Sequence, residues 1–150
     1  MKKTLFLLAT AFGTGFAPSA LAIEDAGTIK TVQGSVSVLR AGQKLAAAPG
    51  LKVQAADKLT TGADGSVGIT LRDNTLLSAG PNSSLSLDKF AFNPTTHEGA
   101  IDASLKRGTL AVISGKIAKA SPDAVTFRTN SVTLGVRGTE FIIEANGKDD

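Results

Sequence analysis

Hydrophobic and polar residues alternate in short runs after position 22, and glycine-containing turns separate the runs. Val36 and Val38, for example, fall on one side of an extended chain, while Ser35 and Ser37 fall on the other. This two-residue period is typical of β-strands with one buried face. The later runs place the following residues on single faces: Val67, Ile69 and Leu71; Leu85 and Leu87; Ile101, Ala103 and Leu105; Val125 and Phe127.

Turn signals recur roughly every 8–12 residues, a spacing typical of all-β domains. Asp64-Gly65 predicts a hairpin, Asp73-Asn74 predicts the next turn, and Arg107-Gly108 is expected to end a strand. Residues 110–119 fit either a strand followed by a turn or a short helix, because Gly115 disfavours a long helix. The pattern predicts one all-β domain, a rolled, solenoid-like or sandwich arrangement of short antiparallel strands.

The first 22 residues have the features of an export signal. Lys2 and Lys3 precede the apolar run Leu5–Phe16, and Ala20–Ala22 form an A-x-A cleavage site. The apolar run is shorter than the roughly 20 residues that a transmembrane helix needs. We therefore predict a Sec-type signal peptide at 1–22, a domain at 23–150, a periplasmic or secreted location and no membrane insertion after cleavage.

The charge and cysteine content narrow the class of protein further. Without Lys2 and Lys3, the net charge of +3 falls close to zero, and the remaining basic residues are scattered. A nucleic-acid-binding surface would cluster its basic residues, so no nucleic-acid partner is expected. The chain has no cysteine, so packing rather than disulfide bonds must stabilise the fold.

Candidate catalytic and ligand-binding residues are sparse. His97 is the only histidine and lies in a polar stretch, without a nucleophile motif or metal-ligand spacing around it, so we interpret it as a solvated loop residue. Tyrosine and tryptophan are absent, and the four phenylalanines after residue 22 occupy strand positions that suit a core. We therefore expect no enzyme activity, no cofactor or metal, and no small-molecule substrate. Those phenylalanines are Phe90, Phe92, Phe127 and Phe141.

Four ordered blocks of the sequence resemble the periplasmic FecR domain. They are Gly27–Gln43 (GTIKTVQGSVSVLRAGQ), Asp57–Leu87 (with TTGADGSVGITLRDN), Leu105–Val112 (LKRGTLAV) and Val125–Phe141 (VTFRTNSVTLGVRGTEF). The most specific part is the signature Gly135–Phe141, GVRGTEF. The resemblance implies an all-β, rolled or solenoid-like domain.

The resemblance also implies a regulatory setting. Full-length FecR proteins bind a sigma factor through a cytoplasmic segment, cross the inner membrane once and receive a signal from an outer-membrane transporter. This sequence departs from that plan. Its first residues are predicted to be a signal peptide, and neither a transmembrane helix nor a cytoplasmic segment is predicted. The resemblance therefore implies a periplasmic, protein-binding module rather than a sigma-factor regulator.

The signature is predicted to form a corner between the last two strands. Gly135 and Gly138 are expected to permit unusual backbone angles, which would bring Arg137 close to Glu140. Two roles follow for Arg137: it braces the fold by bonding turn carbonyls or Glu140, or it contacts a partner protein together with Thr139. The candidate site residues are Gly135, Arg137, Gly138, Thr139, Glu140 and Phe141.

The sequence thus predicts a non-enzymatic protein-interaction module that binds an envelope or periplasmic protein and acts in envelope sensing or signal transduction. The alternative is a structural or surface-associated β protein that serves envelope assembly or adhesion. The first prediction relies on exposed strand edges that accept a partner strand, whereas the alternative needs no signal input.

Overall fold

The computed structural model describes residues 23–136 and 139–147, together with Gly13, Gly15 and Ala17. The predicted signal peptide therefore lies outside the described residues, apart from those three positions. The described residues form twelve strands, one short α-helix and one 3₁₀ turn, in this order: β1 Asp25–Gln33, β2 Val36–Arg40, β3 Gln43–Ala46, β4 Lys52–Gln54, β5 Lys58–Thr61, β6 Ser66–Leu71, β7 Leu76–Ala79, β8 Ser84–Phe92, β9 Gly99–Ile113, α1 Lys116–Ala120, the 3₁₀ turn Pro122–Ala124, β10 Val125–Arg128, β11 Thr133–Gly135 and β12 Glu140–Asn146.

The strands form one strongly curled sheet, which confirms the predicted all-β class. Its main path runs β3-β2-β5-β8-β9-β7-β6-β1-β4, with β10, β11 and β12 attached through β9. The pairs are antiparallel except for β10, which runs parallel to β9. The alternating hydrophobic residues point into the curl, and Ile29, Val38, Ala103 and Leu110 are completely buried there.

The 62–65 turn does not form the predicted hairpin. β5 pairs with β2 and β8, whereas β6 pairs with β1 and β7. The turn instead stacks on the corner between β1 and β2, where Gly34 has a φ of +60°. Gly62 N donates to Ser35 O at 2.8 Å, and a Cβ on Gly34 would lie 2.7 Å from the carbonyl carbon of Asp64. Both turns are therefore corners that carry the chain between two parts of the sheet.

β9 is the longest strand and pairs with four others. On one edge, β8 pairs with Gly99–Arg107 and β7 pairs with Leu110–Ile113. Between these two partners, Gly80 N donates a hydrogen bond to Thr109 O at 3.0 Å. On the opposite edge, β10 pairs with Ile101–Ser104 and β12 with Arg107–Ile113. β9 therefore holds two strands along each of its edges.

Gly108 bends β9 instead of ending a strand, so the expectation for Arg107-Gly108 was wrong. Its φ is +94°, and a Cβ on Gly108 would lie 2.6 Å from Ser83 Cβ. Glycine is the residue type that adopts this backbone without strain and lets the neighbouring turn approach so closely. Residues 110–119, for which a strand or a short helix was predicted, contain both: β9 continues to Ile113 and α1 begins at Lys116.

Candidate functional site

The signature occupies the C-terminal edge of the sheet. Gly135 is the last residue of β11, Thr139 is exposed, and Glu140 and Phe141 begin β12. Arg137 and Gly138 lie outside the described residues, so the predicted pairing of Arg137 with Glu140 stays a prediction. The structure thus describes four of the six candidate residues and places them at the end of β11 and the start of β12.

Gly135 does not adopt the left-handed backbone that was expected of it. It pairs with Thr126 as part of β11, and a Cβ at this position would meet no atom within 4 Å. The expectation was wrong for this residue because Gly135 is part of strand β11. Its conformation and surroundings therefore do not require glycine.

The signature lies between the last two strands, β11 and β12, which do not pair with each other. β11 pairs with β10, while β12 pairs with the second half of β9. Val136 N donates to Val125 O at 3.4 Å, and Ser114 N donates to Thr139 O at 2.7 Å. The signature therefore connects β11, which among the described residues joins the sheet only through β10, to β12, which lies beside the second half of β9.

The inward face of β12 is anchored in the core. Phe141 contacts Phe127 edge to face, with ring centroids 5.4 Å apart and planes at 73°. Ile143 and Ala145 are buried on the same face, and Val136 of the signature is buried as well. Such an aromatic contact adds about 0.5–1.5 kcal/mol to the burial of the rings. The inward face of this edge strand is thus occupied by core contacts, and its outward side is the part that remains available.

The outward face of β12 combines one apolar residue with two acidic ones. Ile142 is 70 % exposed, and Glu140 and Glu144 flank it on the same face. On the neighbouring strands, Ile113 and Leu76 lie directly opposite each other and are also exposed. Ile142 was not among the predicted site residues. The alternation of Phe141, Ile142 and Ile143 is the signal that places Ile142 on the same face as Glu140 and Glu144.

Two buried carboxylates, Asp57 and Asp73, neither of them a predicted site residue, hold separate corners of the sheet. Asp57 is 1 % exposed; it accepts hydrogen bonds from Arg40 Nε at 2.9 Å, from Arg40 Nη2 at 2.7 Å and from Gln54 N at 2.9 Å. The hydrogen bond to Asp57, rather than the coulombic attraction alone, raises the pKa of Arg40 above its ordinary value, against the opposing effect of burial. The pair joins the end of β2 to the turn before β5.

Asp73 is completely buried in the turn between β6 and β7. Its carboxylate accepts from Thr75 N at 3.0 Å, from Thr75 Oγ1 at 2.7 Å and from Ile117 N at 3.2 Å. The last of these bonds satisfies a free N–H at the first turn of α1, which lacks a cap from its own sequence. Asp73 is therefore both the predicted turn former and a tertiary cap for α1.

His97 lies at the surface of the described part of the chain. The imidazole is exposed in the loop after β8 and stacks on Phe92, with centroids 6.3 Å apart. Within the described residues, no group of three or more histidine, aspartate or glutamate side chains is placed to hold a metal ion. His97 thus lies in an exposed loop, as predicted.

A family model described as "FecR protein" matches residues 57–150, more than half of the chain. The chain belongs to the FecR family. The match begins at the buried Asp57 and contains β5 to β12, so it includes the signature and the whole of β9. No curated protein and no solved structure shows a significant match to the chain.

The FecR family is a regulatory family related to signal transduction and sensing, and it is not known for enzymatic activity. The matched region contains the edge strand β12. Strands β1–β4 and the first sequence block, Gly27–Gln43, precede the matched region. No helix among the described residues of this FecR-family chain is long and apolar enough to cross a membrane.

Proposed function

We propose that this FecR-family chain is an exported, periplasmic protein-interaction module that takes part in envelope sensing. Membership of a sensing-related family supports the regulatory part of the proposal. The signal-like residues 1–22 support export. A single structural observation carries the binding part: β12 is an edge strand that packs its inward face against the core and presents an exposed isoleucine on its outward face.

An open strand edge suits protein binding because its free backbone groups can form a ladder with a partner strand. Side chains on the outward face then select the partner. A small-molecule site would instead require a concave pocket with converging polar groups. The features of β12 therefore favour a protein ligand over a substrate.

Site-specific photocrosslinking tests this function. A photoreactive phenylalanine analogue replaces Ile142 on β12, Leu39 on β2 or Thr96 in the loop after β8, one at a time, in the full-length chain expressed in its native cells. Adducts to one defined envelope protein at any of these positions support an interaction module. Adducts only to envelope polymer favour the structural or adhesive alternative, and the absence of any adduct contradicts protein binding.

Export is tested separately. Cell fractionation should recover the protein outside the cytoplasm, and N-terminal sequencing should begin at Ile23. A cytoplasmic protein that retains Met1 would contradict the export part of the proposal without touching the binding part.

A further inference from the structure

The four edge strands of the described part of the chain differ in how well they could accept another strand. β3 and β4 are three to four residues long and carry Lys44 and Lys52, and charged residues on short edges discourage pairing. β11 has only three residues. β12 has seven residues, and on its outward face Ile142 is flanked by Glu140 and Glu144. β12 is therefore the edge best suited to strand addition.

The register identifies the backbone groups that point away from the sheet. Ser114 N bonds to Thr139 O, so Phe141 and Ile143 also direct their backbone groups toward β9, because these directions alternate along a strand. Glu140, Ile142 and Glu144 therefore direct their N–H and C=O groups outward. Among the described residues, no strand pairs with this side of β12.

An apolar stripe leads to the same edge. Leu76 on β7 lies opposite Ile113 on β9, and Ile113 lies opposite Glu140, which makes Ile142 its diagonal neighbour on β12. Diagonal neighbours on one face of a sheet come within reach of long side chains. A strand added beside Ile142 would extend this stripe and shield the isoleucine from water.

The charges of Glu140 and Glu144 determine which kind of strand can pair with the outer edge of β12. Glu140 and Glu144 form no ion pair with another described residue. A second copy paired antiparallel about Ile142 would place Glu140 opposite Glu144 twice, and like charges in such pairs are destabilising. A symmetric shift by one residue would instead place Glu144 opposite Ile142. The outward face of β12 thus disfavours self-association and favours basic residues on the added strand.

We propose that β12 binds a strand of another protein in which an apolar residue lies opposite Ile142 and basic residues lie opposite Glu140 and Glu144. The recognised pattern is Lys or Arg, any residue, an aliphatic residue, any residue, Lys or Arg. This inference rests on the proposed function and specifies its surface and the chemistry of its partner.

Two synthetic peptides test the pattern against the full-length chain: TKTVTKT, and TETVTET as its matched acidic control. Peptide binding is followed by NMR, together with hydrogen exchange of the backbone amides. The basic peptide is expected to bind roughly tenfold more tightly than the acidic one, because two cross-strand pairs change from attraction to repulsion. It should slow exchange at the amides of Glu140, Ile142 and Glu144.

Variants of β12 test whether its charges and Ile142 determine peptide binding. The double variant Glu140→Lys/Glu144→Lys should reverse the preference and bind the acidic peptide more tightly. Ile142→Lys should weaken binding of the basic peptide, whereas Leu39→Lys, which makes the same change at an exposed leucine of β2, should not. Thermal melts confirm that each variant is folded before its binding is compared.

Equal binding of both peptides, protection confined to other strands, or slow exchange of the β12 amides that arises from dimerisation without peptide would each overturn the proposal. The crosslinking experiment separates this failure from failure of the function. A partner that crosslinks at Leu39 or Thr96 but not at Ile142 would leave the interaction module intact and refute only the β12 surface.

Discussion

Replacing Asp73 with alanine is expected to destabilise the turn between β6 and β7 and to release the start of α1. The carboxylate is fully buried and accepts three hydrogen bonds, two from Thr75 and one from Ile117 N. Alanine would leave the Thr75 and Ile117 N–H groups without this acceptor. A buried polar group left unsatisfied costs about 1–3 kcal/mol, so the free energy of unfolding should fall by about 3–5 kcal/mol.

Asparagine provides the graded comparison. Its amide keeps one oxygen but replaces the other with an NH₂ group, and Asp73 Oδ2 is the atom that accepts from both Thr75 Oγ1 and Ile117 N. The Thr75 hydroxyl can rotate and become an acceptor, whereas the Ile117 N–H would face another donor. Asp73→Asn should therefore cost about 1–3 kcal/mol, less than alanine.

Urea unfolding at pH 7 measures both changes. With a slope of about 1.5 kcal/mol/M, the alanine variant should unfold at a midpoint lower by about 2 M or more. Hydrogen exchange should show faster exchange at Ile117 in both variants. Asp123→Ala provides the control, because Asp123 is exposed in the 3₁₀ turn, and it should change stability by less than about 0.5 kcal/mol. A loss below about 1 kcal/mol for Asp73→Ala would refute the reasoning.

Further predictions concern the other corners of the sheet. Arg40→Ala should cost about 3 kcal/mol, since it leaves the Asp57 carboxylate buried without its charged partner, while Arg40 itself is 28 % exposed. Because the pKa of Arg40 is raised, its stabilising contribution is fully present at every pH below the ordinary arginine pKa and is lost only as the pH rises through the folded-state pKa. The difference between the urea midpoints of wild type and Arg40→Ala should therefore be the same at pH 6 and at pH 9. Gly108→Ala should cost more than about 2 kcal/mol through its positive φ and its collision with Ser83, whereas Gly135→Ala should be close to neutral in thermal melts. Equal effects of the two glycine variants would contradict the assigned backbone conformations.

Local sequence patterns were sufficient to predict the buried faces of β2, β6, β8, β9 and β10, but they did not indicate the short strands β3 and β4. Val38, Ile101 and Ala103 are buried as the alternation indicated, because a two-residue period is a property of the strand itself. The all-β class followed from the same pattern. The turns at Asp64-Gly65 and Asp73-Asn74 were also placed correctly.

The pairing partners could not be predicted in the same way. Asp64-Gly65 gives the same local signal whether the chain forms a hairpin or turns a corner, and stacking against Gly34 decides between them. The bond from Ile117 N to Asp73 spans 44 positions, so no local motif could reveal it. The exposure of Ile142 likewise depends on which strand lies beyond β12 and not on its own neighbours in sequence.

The position of β9 in the chain has a consequence for folding kinetics. Two of its partners, β7 and β8, are synthesised before it, and the other two, β10 and β12, are synthesised after it. A growing chain that ends before Gly99 leaves β7 and β8 with edges that their final partner has not yet covered. Pairing between distant segments also slows folding. The sheet therefore closes late, after nearly the whole chain is available, and a chaperone that delays collapse until then would raise the yield of folded protein.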